Sequence, residues 1–251
     1  MKSISNFFTK KIQTVFNDFS LTLSFFTVLV KTEKIASEEE MAKTWFYMVP
    51  LGLILGSIAG LPFIFPLKPD LQALLSLVLL VSLTRCFHWD GFADLLDGIG
   101  SNTQKENFFN ILKDSRIGVF GVTGLILGIL SMWILLKNIH SFWAIVGLCV
   151  FSRGNLIFTA WTLKKWAKKG MGKIFFSSIS FQKVLLNLIL SALIITIIFD
   201  ILTYTLAFLG LLIWSFYLLF LARKHRGANG DFLGATIVFS EIIFLVALSL
   251  R

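Results

Sequence analysis

Seven stretches of this chain are apolar for about as long as a helix needs to cross a bilayer: residues 45–67, 70–87, 117–136, 140–161, 184–200, 201–221 and 232–250. About 20 such residues make one transmembrane helix. A backbone in lipid must satisfy its own hydrogen bonds, which leaves helices or closed barrels. The short alternating strands of a barrel are missing. The expected fold is therefore all-α, a polytopic integral membrane bundle of about seven transmembrane helices. Composition agrees, since 56% of the 251 residues are hydrophobic and 27 are Phe, more than soluble domains carry. No interval between the runs holds a soluble domain, so residues 1–251 read as a single membrane-embedded domain. The stretch 14–30 contains Asn17 and Asp18 and is expected as an extra N-terminal helix, interfacial or re-entrant.

The loops orient the bundle. Loop 162–183 holds Lys164, Lys165, Lys168, Lys169, Lys173 and Lys183 with no acid, and loop 222–231 holds Arg223, Lys224 and Arg226. Both belong in the cytoplasm by the positive-inside rule. Counting spans puts 31–44 and 88–116 there too, and leaves only tiny turns (68–69, 137–139 and the junction near Asp200) on the far side. If 14–30 spanned, Lys2, Lys10 and Lys11 would lie outside, against the rule. The net charge of +9, which in a soluble protein would suggest nucleic acid, is here a matter of anionic lipid; no nucleic-acid partner is expected. Cys86 and Cys149 are the two cysteines and form no metal or disulfide pattern.

Three polar clusters then lie on one side. The first is FHWDGFADLLDGIG, Phe87 to Gly100. On a helix Asp90, Asp94 and Asp97 fall at i, i+4 and i+7, one face. Carboxylates drawn together repel unless a cation joins them, and oxygen ligands on a membrane surface suit Mg²⁺ shared with substrate phosphates. A solvated acidic face is the plain alternative. His88 points off that face unless the helix starts near Asp90; it is either a base or substrate contact, or an interfacial histidine beside Trp89. The second cluster, LKDSRIGVFG, places Lys113, Asp114, Ser115 and Arg116 directly before a span. Arginine binds phosphate oxygens bidentately; the alternatives are a cap from Asp114 or Ser115 and simple anchoring by Lys113 and Arg116. The third, RKHRGANGDFLG, surrounds Asp231 with Gly227, Gly230 and Gly234, a glycine-rich turn entering a helix that could cradle phosphate, or a basic turn capped by Asp231. Inside the spans, Arg153 lies about 12 Å and Glu241 about 15 Å from that side at ~1.5 Å per residue, and buried charges of this kind pair or serve a function. The two are expected to pair, and Arg153 is also counted with the phosphate-binding candidates. Acids for a metal and bases for phosphates, gathered at a membrane surface, describe a site for a nucleotide or diphosphate substrate.

HWDGFADLLDG resembles the HxDGxADxxDG signature of the cobalamin synthase (adenosylcobinamide-GDP ribazoletransferase) family. LKDSRIGVFGV is similar to its MKDSRIGxxGV block, and GANGDFLGATIVFSE to its GxxGDxLGAxxxxxE segment, in the same order. One departure stands out. The family carries a Thr-Arg-Ile-Pro-like segment after its first helix, whereas this chain has FTVLVKTEKI, Phe26 to Ile35, without that Arg and Pro. The resemblance implies a transferase in which a hydroxyl of α-ribazole, or of its 5′-phosphate, attacks the phosphorus bonded to the cobinamide arm of adenosylcobinamide-GDP and GMP leaves. It implies Mg²⁺ as cofactor, held by Asp90, Asp94 and Asp97. Arg116 and Lys113 would neutralise phosphate oxygens, with Asp114 and Asp231 as further metal or hydroxyl contacts, Gly230 at the phosphate and His88 or an aspartate as base. The expected partners are the two substrates and the lipid bilayer, with a homo-oligomer left open. The expected place is a bacterial or archaeal cell membrane with the site facing the cytoplasm. A CDP-alcohol phosphatidyltransferase is disfavoured because Ala93 is followed by Asp94 instead of Arg. A cation transporter is disfavoured because its acids should lie near the midplane in broken helices.

Overall fold

The computed structural model describes residues 2–33, 36–170 and 172–251, and of residues 2–10 the backbone alone. The side chains of Lys2 and Lys10, and the last two residues of the 26–35 stretch, thus lie outside the described residues. The helices run in chain order as α1 (Lys2–Phe26), α2 (Glu38–Lys43), α3 (Met48–Gly60), α4 (Pro69–Leu83), α5 (Phe87–Gly100), α6 (Glu106–Leu112), α7 (Val119–Ile139), α8 (Phe142–Leu163), α9 (Lys173–Ser177), α10 (Phe181–Ile198), α11 (Ile201–His225) and α12 (Gly230–Ser249). Among the described residues there is no strand, only an isolated bridge between Ala167 and Ala228. The all-α membrane bundle expected from the apolar runs is what forms.

Six helical segments are long and apolar enough to cross a membrane: Glu38–Ile64, Val119–Ile139, Phe142–Trp166, Phe181–Ile198, Ile201–His225 and Gly230–Ser249. The seventh expected span, 70–87, is different. α4 has 15 residues, about 22 Å at ~1.5 Å per residue, too short for a hydrocarbon core of ~30 Å. The chain bends by 88° at 84–86 and continues as α5. The acidic stretch is therefore the second arm of a bent helix pair, packed against α7 and α12.

α8 forms the centre. Of its most apolar stretch 83% is buried inside the protein, against 22% for α7 and α10, which leaves those two facing lipid. α3 lies on α8 through Gly52, Gly56 and Gly60. A Cβ on Gly56 would come within 2.6 Å of the Val146 Cα, and one on Gly52 within 2.5 Å of the Cys149 carbonyl oxygen. Small residues every fourth position let two membrane helices touch backbone to backbone, where dispersion and not hydrophobic exclusion holds them.

The two ends of the bundle differ in character. At one, Trp133 and Lys137 of α7 reach the Asp70 carbonyl (3.2 Å) and carboxylate (2.8 Å) at the start of α4. Arg251 pairs there with Asp200, the N-cap of α11. At the other, the Trp45 indole donates to the Phe175 carbonyl (3.1 Å), Lys183 to Ala42 O (3.0 Å), and Lys168 to Glu106 (2.9 Å). The lysine-bearing loops, α6 and the glycine-rich turn before α12 thus share one end, as the loop charges implied. α1 joins that end: Phe25 and Phe26 pack on Phe175, Phe87 and His88, and Asp18 lies 3.8 Å from Lys43. The expected helix over 14–30 is longer at its start and stops at Phe26.

Candidate active site

α5 places its acids as the spacing requires. Asp90 is exposed, Asp94 and Asp97 are half-buried, and the opposite face (Phe92, Leu95) is buried. Two glycines set what the acids meet. A Cβ on Gly91 would stand 3.0 Å from the Asp231 Cα, so α5 and α12 touch at backbone distance and Asp231 joins the α5 acids. A Cβ on Gly98 would strike Leu112 and Phe108. Its absence lets α6 lie flat on α5 and aims the 113–116 segment back at the same face. The result is a cleft of about 540 Å³, lined by Cys86, Trp89, Asp90 and Asp94 on one side and by Lys113, Asp114, Ser115 and Arg116 on the other, with Leu125 and Ile129 of α7 completing the wall. The first two polar clusters, separated by eleven residues, form one site.

Asp97 does something else. Its two oxygens accept from the amides of Gly118 and Gly121, each at 2.7 Å. The N-cap position of α7 is Gly118, which has no side chain to cap it, and Asp97 supplies the cap from another helix, where a carboxylate also offsets the positive helix end. The expected alternative caps, Asp114 and Ser115, are not used. The Asp114 carboxylate instead accepts from the Arg116 guanidinium twice, at 3.0 and 2.7 Å, and from the Arg116 backbone amide at 3.0 Å. Those bonds hold the Asp114 carboxyl down at about 2 and push the Arg116 guanidinium up.

The third cluster is only partly a cradle. Gly227 packs against Lys168 and Phe109, and Gly234 against the His88 backbone; Gly230 has its backbone against Gly172 but open space where a Cβ would stand. Asp231 is not the N-cap of α12, a position held by Asn229, whose amide donates to Asp231 at 2.6 Å. His88 is buried, stacked with Phe26 at 6.4 Å between ring centroids, and does not line the cleft. Arg153 is also away from it. It is 2% exposed and pairs with Glu241, equally buried, while donating to Ser152 at 2.8 Å. The expected pairing is present, and it takes the Arg153 charge out of reach of a phosphate at the cleft. It ties α8 to α12, the helix that carries Asp231.

Sequence reasoning passed over the α4–α5 turn. Arg85 and Cys86 both take positive φ, 54° and 57°, a conformation that costs a non-glycine residue about 1–3 kcal/mol and clusters at functional sites. The Arg85 guanidinium donates to the carbonyls of Ser24 (3.0 Å) and Phe25 (2.8 Å) at the end of α1, and the Val28 amide donates to Leu83 O (2.9 Å). A guanidinium therefore stands beside the 26–35 stretch whose family counterpart carries its own arginine. A lone charge at the end of an apolar run was the only sequence signal.

A cleft with acids on one wall and cations on the other suits a phosphate-bearing substrate, and the comparisons with known proteins agree. The sequence model of the family described as cobalamin-5-phosphate synthase matches residues 18–249. The adenosylcobinamide-GDP ribazoletransferase of Nitratidesulfovibrio vulgaris (strain DP4) is 33% identical over 243 residues, covering 92% of this chain and 96% of the relative. The protein of the same name from Klebsiella pneumoniae (strain 342) is 32% identical over 208 residues, covering 79% and 84%. That from Clostridium botulinum (strain Langeland / NCTC 10281 / Type F) is 30% identical over 247, covering 94% and 99%. No solved structure matches. Since the match runs through all three polar clusters and nearly end to end, the chain belongs to the cobalamin-5-phosphate synthase family.

Proposed function

We infer that this chain is an adenosylcobinamide-GDP ribazoletransferase, an enzyme that joins α-ribazole or its 5′-phosphate to adenosylcobinamide-GDP and releases GMP. The observation that carries the reading is the meeting of Asp90 and Asp94 with Lys113 and Arg116 in one cleft, in a chain whose relatives of that name match along most of their length. The new P–O bond forms between a ribazole hydroxyl and the phosphorus bonded to the cobinamide arm. The bond from that phosphorus to the GMP phosphate breaks. Such transfer needs little covalent help from protein and depends on positioning and charge. Lys113 and Arg116 would take the charge of the departing GMP. Arg116 can do so while paired to Asp114, since a guanidinium has five N–H donors and the pair uses two. A cleft carboxylate, rather than the buried His88, would accept the hydroxyl proton, since Asp90 and Asp94 line the cleft and His88 does not.

Mg²⁺ fits this donor set. Among the described residues, Asp90, Asp94 and Asp231 enter no ion pair with Lys or Arg, so their charges are left for a cation. Among the described residues, too, no three acids, histidines or cysteines converge into a metal cage by themselves. Mg²⁺ does not require such a cage, since it takes one or two carboxylates and completes its shell with substrate phosphates and water. Asp90 and Asp94, with Asp231 beside them, would hold it; Asp97 would orient α7. When bound, the ion would offset the diphosphate charge. The basic loops support a cytoplasmic site in a cell membrane. A broken span bearing acids is also a transporter feature, but the facing cations and the names of the relatives favour the transferase.

The test is direct. Purified protein in lipid nanodiscs, given adenosylcobinamide-GDP, both forms of ribazole and Mg²⁺, should form a cobamide and one GMP per turnover, and a chelator should stop it. Neither product with any divalent metal would sink the reading.

A further inference from the structure

A second cavity, of about 680 Å³, lies between the end of α1, the 27–33 segment and the α4–α5 turn, and shares no lining residue with the cleft. Lys31 and Arg85 line it, with Glu33 as its one acid, so the lining is net positive. Among the described residues neither cation is ion-paired. Arg85 gives two N–H donors to the α1 carbonyls, which fixes the group and leaves three of its five. The hydroxyls of Thr27 and Ser24 donate back to Leu23 O (2.6 Å) and Leu21 O (2.9 Å). The charge on offer is cationic, and its match is a phosphate oxygen.

The surface that leads to this cavity is apolar. On α4, Leu71, Leu74, Leu75, Val78 and Ser82 are exposed, one line at i, i+3, i+4, i+7 and i+11 that runs toward Arg85. From Leu74 to Arg85 is about 16 Å at ~1.5 Å per residue, about half of a ~30 Å hydrocarbon core and so one leaflet. Val28, in the lining, and Phe87, just past the turn, are exposed as well. The depth suits a lipid headgroup. α4 starts beside Lys137 at the far end of the bundle, and its length leaves the turn about 8 Å short of spanning that core. A bilayer meets a short helix by thinning, and an arginine at such depth draws polar groups to itself. α1, to whose end Arg85 is bonded, exposes Ile12, Val15 and Phe16 on one face, as a helix lying at the headgroup boundary does.

We propose that this cavity binds an anionic phospholipid: Lys31 and Arg85 hold its headgroup phosphate, and an acyl chain lies along the exposed line of α4. A soluble phosphate would satisfy the cations but has no use for a leaflet-long apolar track that ends at them. The site is separate from the cleft and does not depend on the transferase reading.

The test titrates delipidated protein in detergent with phosphatidylglycerol or with phosphatidylcholine of the same chains, and counts bound lipid by native mass spectrometry. The wild type should hold one phosphatidylglycerol in preference to phosphatidylcholine. Lys31→Ala should weaken that binding about 10- to 100-fold, the worth of one charge-assisted hydrogen bond, and Lys31→Arg should restore it. Arg85→Gln keeps a donor for the α1 carbonyls and should weaken it similarly; the Lys31 pair decides the matter alone if Arg85→Gln fails to fold. Lys169→Ala, a change at an exposed lysine of another loop, should bind as the wild type does. Equal binding of the two lipids, or binding indifferent to Lys31→Ala, overturns the proposal. So does an equal loss in Lys169→Ala, which would make the attraction a property of the whole basic surface. Displacement of phosphatidylglycerol by an equal concentration of inorganic phosphate overturns it too, and would give the cavity to a soluble phosphate ligand.

Discussion

The Arg153–Glu241 pair offers a quantitative test of how the bundle is held. Each partner is 2% exposed, and among the described residues neither pairs with another acid or base. Removing one partner of such a pair costs about 3–5 kcal/mol, because the other is left charged in a dry interior, whereas replacing both by apolar residues of similar size is often neutral. The two single losses should differ. A stranded glutamate can take a proton and become neutral, while a guanidinium cannot lose one. Glu241→Leu should therefore sit at the top of the range and Arg153→Met at the bottom. Arg153 also leaves its Nε without a partner among the described residues and its Nη1 on Ser152, so little else compensates for the loss of Glu241. The double variant should be more stable than the Glu241→Leu single by about 3 kcal/mol, near 6–12 °C in Tm for a chain of this size. Thermal unfolding of the four proteins in one detergent and lipid mixture measures this. Additive effects of the two changes would refute the pairing argument.

Two further outcomes separate the roles of the acids. Asp97→Ala leaves the Gly118 and Gly121 amides without an acceptor and should cost about 1–2 kcal/mol of stability, while Asp97→Asn keeps an oxygen for the cap and should retain measurable turnover; a folded Asp97→Asn as dead as a metal-ligand variant would return Asp97 to the metal. Asp114, held at about 2 against an ordinary 3.8, has a depressed carboxyl, so its pairing with Arg116 is complete above 3.8 and is lost only as pH falls through about 2. Any acid limb in the rate between pH ~5 and ~8 should keep its midpoint in Asp114→Asn, and its disappearance there would contradict the assignment.

Six of the seven expected membrane helices could be read from apolar length, because lipid leaves the backbone few choices. The common face of Asp90, Asp94 and Asp97 could be read from helical period, and the meeting of Arg153 with Glu241 from their similar depth. What could not be read is where helices end against one another. Nothing at Thr84, Arg85 or Cys86 marks a break, since neither Gly nor Pro is present; the 88° bend is imposed by packing of α5 on α7 and α12. The cap on α7 comes from a residue 21 positions earlier, outside any local motif. The glycines before and after Asp231 looked like one cradle, but two of the three serve close packing, a use that spacing alone does not distinguish. The α3 glycines at 52, 56 and 60 were a readable sign of tight helix contact, and they do mark the seam with α8.

The central claim is that the acids facing Lys113 and Arg116 carry the transfer. Asp94→Asn changes one oxygen to an amide group with almost no change of volume. In nanodiscs, with adenosylcobinamide-GDP, α-ribazole 5′-phosphate and Mg²⁺, GMP release by this variant should fall at least about 100-fold, some 2.7 kcal/mol of lost transition-state stabilisation, while its Tm stays near that of the parent. Turnover within about threefold of the parent in a folded variant would contradict the account.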